Sequence, residues 1–371
     1  MNRITQKVIN SNLRLLHIIT NLPVCTSCGS QKHHRYFHSM NVKSGTKGNF
    51  RIHDTLLHLT TPKRGILGGS LSSSNVGCLV DRWTNVFKNR KISEPKESAE
   101  YIIAHVQGSK MFHEIDKSSF LTAAQHKKME ELCLRRLDKE PIQYLLGEWD
   151  FCDMTLDVRQ PVFIPRPETE ELVELIQQYL KTRGLENSAL TILEVGCGSG
   201  AIAIALLKRF QKATCTSIDR SIDACELTTH NAVKQKVKDR LNVVHLELNK
   251  DTVEVHPEFT CTERYQLLVS NPPYIPTKDM TKLQPEIDLF EDPCALHGGL
   301  DGLDTIIRTL HIASKVLQDK GFLWLEVDST HPAKVQRLLQ DNKELNLHYV
   351  QTYQDFNKLE RFCQIQKHLP V

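Results

Sequence analysis

From Gly184 onward, short apolar runs of strand character alternate with helical patterns, and this alternation limits the possible folds of the 371-residue chain more than any other feature. Strands are expected over residues 190–195, 213–219, 241–248, 265–270 and 322–327, and helices over 201–210, 224–237, 305–317 and 333–339. Strands so uniformly apolar are covered on both faces, which specifies a parallel sheet between two helical layers. Two further strands, 348–353 and 361–366, are separated by a short polar loop and can pair as an antiparallel hairpin. The expected fold class is therefore α/β, a seven-stranded, mostly parallel, doubly wound sheet.

Upstream the pattern changes. Residues 81–147 read as a small bundle of short helices, with Asp81 able to cap a segment containing Trp83, Val86 and Phe87. Ser98 can cap the next, which carries Ala99, Ile102, Ile103 and Val106. Residues 148–170 read as a β-hairpin linker running into Pro165-Arg166-Pro167-Glu168-Thr169-Glu170. There Pro167 and the early acids suit a helix start, with Leu172, Leu175, Ile176, Tyr179 and Leu180 on its apolar face. Residues 171–371 form the α/β domain. Arg166 is expected to pair with Glu168 or Glu170, and Glu291 and Asp301 to be solvated.

Charge is unevenly placed. The net charge is +3, yet residues 1–53 hold eight Lys or Arg and no acid. The other 318 residues carry 39 basic and 44 acidic side chains, a net of −5. A duplex-binding protein would show the reverse, and aromatics at 6% are too sparse for a single-strand stacking platform. Stable nucleic-acid binding is therefore not expected, and no apolar run reaches the length of a bilayer span. Residues 1–53, basic and amphipathic, with Leu13, Leu16 and Ile19 on one side, read as a mitochondrial transit peptide that can extend to about residue 75 through a Ser/Gly-rich run. Ordered structure is expected to begin close to Asp81. Eleven cysteines, an odd number scattered through predicted elements, suit a reducing compartment. Cys25 and Cys28 have half the spacing of a zinc site, but no second pair follows, so no metal is expected.

Two loops carry the chemistry. The first predicted strand ends in Glu194-Val195-Gly196-Cys197-Gly198-Ser199-Gly200 and runs directly into a helix. Such glycines let a backbone turn sharply and approach a ligand at the carboxyl end of a strand. The third glycine comes one residue too early for the dinucleotide fingerprint, and no Lys-Ser/Thr follows for a Walker-type phosphate site. Asp219, at the end of the second strand, can accept both hydroxyls of a ribose. Glu194-x-Gly-x-Gly-x-Gly with that Asp points to S-adenosyl-L-methionine, the competing reading being a structural turn.

The fourth strand ends in Asn271-Pro272-Pro273-Tyr274. A planar NH2 group is a poor nucleophile because its lone pair is delocalised. Two acceptors aimed at its hydrogens would orient it and favour charge developing on nitrogen. The Asn271 side-chain carbonyl and the Pro272 backbone carbonyl can serve, held stiff by the prolines, with the Tyr274 ring packed on the planar group. Methyl displacement would then proceed by positioning, without a general base.

Together these loops resemble the class I S-adenosylmethionine-dependent methyltransferases that act on amino nitrogens. The finer resemblance is to the HemK/PrmC family of protein-(glutamine-N5) methyltransferases, carried also by Pro141-Ile142-Gln143-Tyr144-Leu145-Leu146-Gly147 with Phe151, by 164–170, by Glu291-Asp292-Pro293 with 298–303, and by 321–326. It covers about residues 81–367. The resemblance implies methylation of the glutamine in the GGQ motif of peptide-chain release factors and, with the leader, a mitochondrial matrix enzyme acting on class I release factors. It also implies that Gly196, Cys197, Gly198, Ser199, Gly200 and Asp219 bind the cofactor. Glu194 and Asn271 join them as cofactor candidates, and Glu247 loosely matches the family's adenine-side acid. Asn271, Pro272, Pro273 and Tyr274 would hold the substrate amide, with Asn271, Pro272 and Tyr274 as the catalytic set. Glu194 stands where the family commonly has Asp, Cys197 where it commonly has Thr, and Gln266 where an Asp is common. The alternatives are an adenine-N6 methyltransferase of DNA or RNA, which poses the same geometric problem to the tetrapeptide, and a non-catalytic scaffold that binds the cofactor.

Overall fold

The computed structural model describes residues 74–248 and 264–368. The expected transit peptide, the Cys25/Cys28 pair and the glycine-serine run up to residue 73 lie outside them.

The chain enters a helical cluster earlier than expected. Helix α1 is Val76–Asn89, capped by Asn75, whose Oδ1 accepts from the Cys78 N–H at 2.9 Å. Asp81 sits exposed inside this helix, because burial of Val76, Leu79 and Val80 pulls the start upstream. Helix α2, Pro95–Gln107, starts at its proline, so Ser98 is a buried residue of the first turn rather than a cap. Helix α3, Ala123–Leu137, opens with a Thr122/Gln125 capping box, and α4 is Ile142–Leu146. Phe87, Ile102, Ile103, Met129 and Leu132 fill the core between them.

Strands β1 (Glu148–Phe151) and β2 (Met154–Asp157) pair as an antiparallel hairpin. Helix α5, Pro167–Thr182, follows. Then come β3 (Thr191–Val195), α6 (Ala201–Arg209), β4 (Thr214–Asp219), α7 (Ile222–Lys234), β5 (Leu241–His245) and β6 (Tyr265–Ser270). Short helices α8 (Thr277–Met280) and α9 (Pro285–Asp288) precede α10 (Asp304–Val316), β7 (Leu317–Glu326), α11 (Pro332–Asp341), β8 (Leu347–Gln354) and β9 (Glu360–Lys367).

Seven strands form one sheet in the order β5-β4-β3-β6-β7-β9-β8. The pairs from β5 to β7 are parallel, and β9 runs antiparallel between β7 and β8. Strand alternation divides the core. Ile192, Leu267, Val269 and Trp324 point to the layer of α5, α6 and α7, while Leu193, Leu268, Leu323 and Leu325 point to α10 and α11. Both faces are buried, which is why these strands read as continuous apolar runs.

Candidate active site

The chain leaves β3 toward β4 and β5 on one side and returns through β6 to β7 on the other. Ligands of open α/β sheets lodge at such a reversal, beyond the carboxyl ends of the strands. There the structure has a cavity of about 540 Å³, within the usual range for small-molecule sites. Register pairs Val195 with Ser270, so Gly196 and Asn271 leave neighbouring strands side by side.

The cavity wall contains Gly196, Gly198, Asp219, Glu247, Asn271, Pro272, Pro273 and Tyr274. Asp219 is half-buried at the end of β4. Its Oδ2 accepts from the Gly198 N–H at 3.0 Å and its Oδ1 from the Ser221 N–H at 2.9 Å. Burial pushes its pKa up, against those two hydrogen bonds. With a further hydrogen bond from the Cys197 thiol, the carboxylate still has lone-pair capacity left for a ligand. Gly198 has φ +54°, and a Cβ built there would meet no protein atom within 4 Å, so this stretch of backbone is laid open to the cavity. Leu246 and Leu248 flank Glu247 beyond β5 and supply an apolar wall.

The remaining loop residues lie behind this wall. Cys197 is buried, and its thiol is pushed up by the neighbouring Cys225 thiol and by burial, which keeps it neutral. The Ser199 carbonyl accepts from Asn231 Nδ2 at 2.9 Å, and the Gly198 carbonyl from Thr228 Oγ1 at 3.0 Å. Asn231 also binds the Asp157 backbone, through Nδ2 at 3.0 Å and Oδ1 at 2.9 Å, which ties the hairpin to the glycine loop. Thr228 and Asn231 escaped the sequence reading; polar residues on the buried face of α7 were the signal.

Glu194 lies fully buried beneath the loop, accepting from Ser217 Oγ at 2.7 Å and from the Ala203 N–H at 3.3 Å. Burial lifts its pKa to about 8. A carboxyl whose folded pKa exceeds its unfolded value of about 4.5 contributes stability that is complete at low pH and is lost as pH rises to about 8. Glu194→Gln should therefore flatten the pH dependence of the thermal midpoint between pH 5 and 9, and melt above the parent at pH 9. Parallel curves for the two proteins would show that Glu194 is not held protonated.

The tetrapeptide is clamped from two sides. Ile275 N–H donates to the Leu296 carbonyl and Gly298 N–H to the Ile275 carbonyl, each at 2.9 Å. Gly302 has φ +83°, and a Cβ there would lie 2.3 Å from the Tyr274 carbonyl oxygen, so only glycine lets the 298–302 segment press this closely on the loop. Asn271 Nδ2 donates to Thr169 Oγ1 at 3.1 Å, and Thr169 donates onward to Glu326 Oε2 at 2.8 Å. With Nδ2 so engaged, the free end of the amide is Oδ1. Burial raises the Tyr274 hydroxyl pKa, aided by the Glu326 charge.

Arg166 pairs with neither Glu168 nor Glu170. Its Nη2 donates to Glu291 Oε1 at 2.6 Å and its guanidinium lies 4.5 Å from the Phe163 ring centroid. Glu291 is accordingly buried rather than solvated, and its Oε2 accepts from the Ile164 N–H at 3.3 Å. Asp301 is exposed, as expected. Among the described residues no group of His, Cys, Asp and Glu could hold a metal ion, and no helix is long and apolar enough to cross a membrane.

Comparison with known proteins places these features in a family. Residues 79–147 match the PrmC N-terminal domain, and residues 172–287 the methyltransferase small domain. The chain is 42% identical over 299 residues to the MTRF1L release factor glutamine methyltransferase of Homo sapiens, covering 79% of this chain and 87% of that protein. It is 34% identical over 277 residues to a release factor glutamine methyltransferase of Chlorobaculum tepidum, covering 74% of this chain and 91% of the relative. The corresponding Rhodopirellula baltica protein is 32% identical, covering 77% and 94%. With a relative above 40% identity aligned along most of both chains, over the helical region as well as the sheet, this chain belongs to the family of release factor glutamine methyltransferases.

Proposed function

We propose that the enzyme transfers the methyl group of S-adenosyl-L-methionine to the side-chain nitrogen of the glutamine in the GGQ motif of peptide-chain release factors. The observation that carries the reading is the placement of Asn271 beside Gly196 on one cavity wall, so that an amide-holding loop and a nucleoside-type loop face the same space.

The residues present fit the cofactor. The open backbone at Gly198, the remaining lone pairs of Asp219 and the apolar wall of Leu246 and Leu248 suit a loop-bound ribose and a flat base. When bound, the sulfonium supplies an electrophilic methyl group. The chain itself supplies position. Asn271 Oδ1 and the Pro272 carbonyl accept the two hydrogens of the substrate carboxamide and favour positive charge developing on its nitrogen. Tyr274 packs beside them, its hydroxyl kept neutral by burial. No general base is required, because the nitrogen loses its proton readily once it carries the methyl group.

Incubation of the enzyme with labelled S-adenosyl-L-methionine and purified release factor should label the factor, and the same factor with its GGQ glutamine replaced should stay unlabelled. Equal label on both proteins, or label on added nucleic acid instead, overturns the reading. The acid-free, basic leader supports a mitochondrial matrix location and, with it, mitochondrial class I release factors as substrates. A reporter fused to residues 1–53 should enter mitochondria; a purely cytosolic signal would remove that part.

A further inference from the structure

We propose that Thr169 and Glu326 are positioning residues that fix which end of the Asn271 amide faces the cavity. This rests on the glutamine reading above and deepens it.

The two ends of an Asn amide are nearly isosteric, yet opposite in hydrogen-bonding character. Flipped, Asn271 would present NH2 to a substrate NH2 and lose the acceptor that the chemistry needs. Thr169 alone cannot prevent this, because a hydroxyl both donates and accepts. The carboxylate of Glu326 settles the direction. When ionised it has no proton to give, so the single Thr169 proton points to Oε2, 2.8 Å away. Only lone pairs remain for Asn271, which must then offer Nδ2–H, as it does at 3.1 Å. Thr169 and Glu326 are 3% and 1% exposed, so water has little access to substitute for either partner. The three groups come from the first turn of α5, the end of β7 and the loop after β6. Thr169 is the polar member of a face otherwise built from Leu172, Val173, Ile176 and Leu180, a place where a hydroxyl needs a reason.

The state of Glu326 therefore governs the relay. Burial lifts its carboxyl to about 7, offset by the Thr169 hydrogen bond, by Arg361 from β9 and by the Asn271 hydrogen bond, while Glu168 on α5 pushes it further up. Tyr274 lies on the same side, and Asp355 pairs with Arg361 at 3.4 Å. Below neutrality a protonated Glu326 can donate to Thr169. Thr169 can then turn its proton to Asn271 Oδ1, and the amide is free to flip.

Thr169→Val, Thr169→Ser and Glu326→Gln test this. Thr169→Val should lower kcat about 10- to 100-fold, leave cofactor affinity unchanged, and flatten the fall in kcat expected of the parent as pH drops through about 7, since only the direct hydrogen bond of Asn271 to Glu326 then remains. Thr169→Ser should recover both the rate and the pH limb. Glu326→Gln should give a lower, pH-independent rate. Unchanged kcat and pH profile in Thr169→Val, with the parent active, would overturn the relay and leave the glutamine reading standing. A substrate-independent measurement keeps the relay testable if the parent does not turn over release factor. The Asn271 side-chain amide hydrogens, followed by NMR on 15N-labelled enzyme, should be protected from exchange and lose that protection in Thr169→Val. Equal protection in both proteins overturns the relay.

Discussion

Asn271→Ala should lower kcat by about 10²- to 10³-fold while leaving the affinity for S-adenosyl-L-methionine essentially unchanged. Neither residue that follows Asn271 in the loop can replace the lost acceptor. The neighbouring prolines bring no side-chain polar atom, and their rings keep the Pro272 carbonyl where it is. That carbonyl is untouched by the substitution, so activity should fall steeply without reaching zero. The cofactor side is built separately, from the β3 loop and the end of β4, and Asp219 draws its hydrogen bonds from Gly198 and Ser221 rather than from Asn271. Stability should fall only by about 1 kcal/mol, the value of one hydrogen bond lost to Thr169. Single-turnover transfer to release factor, beside calorimetry with the cofactor, separates the two effects. A variant that keeps normal turnover shows that the amide is not held by this side chain, and one that loses cofactor binding assigns Asn271 a different part.

The parts of this site that could be read from the sequence are those with a local signature. The apolar runs of β3, β4 and β6 alternate with helices, and the glycine loop and the tetrapeptide each occupy a few consecutive residues at a strand end. The sheet then brings them together without further information, since β3 and β6 are neighbours. Helix starts were less legible, because a good capping residue is not sufficient. Asp81 and Ser98 both suit the role, but the buried faces of α1 and α2 set the starts at Val76 and Pro95. Long-range polar pairs were not legible at all. Arg166 meets Glu291 across 125 residues and Thr169 meets Glu326 across 157, and nothing in the intervening chain specifies the partner. What the sequence does show is one half of each bond, such as a threonine on an apolar helical face or an acid ending a run as apolar as 322–325.

A third pair of this kind, Arg136 with Glu286 across 150 residues, yields the second large effect. Arg136→Ala should destabilise the protein by about 3–5 kcal/mol, because it leaves Glu286 enclosed without its main counter-charge. Arg136 is 3% exposed and uses every arm of its guanidinium. Nη1 donates to Glu286 Oε1 and to the Glu140 carbonyl, both at 3.2 Å; Nη2 donates to Ser93 Oγ at 2.8 Å and to the Ser93 carbonyl at 3.1 Å; Nε donates to Ser98 Oγ at 3.1 Å. This single side chain fastens α3 to α2 and to α9, the short helix whose Ile287 lines the cavity. Burial pushes the Glu286 carboxyl up, but its backbone and Ser93 hydrogen bonds and the charges of Arg136 and Lys139 outweigh it and hold the pKa below the usual carboxylate range. A depressed carboxylate contributes stability above its unfolded pKa and loses it as pH falls through the folded value. The gap between parent and Arg136→Ala should therefore be widest near pH 7 and narrow in acid, as followed by urea unfolding at both pH values. The double variant Arg136→Met with Glu286→Leu removes both charges together and should regain much of the loss, since a buried ion pair exchanged for apolar packing is often close to neutral. A loss below about 1 kcal/mol for Arg136→Ala would mean that the ion pair contributes no more than an exposed one, and that the apolar contacts of the helical cluster hold α9 without it.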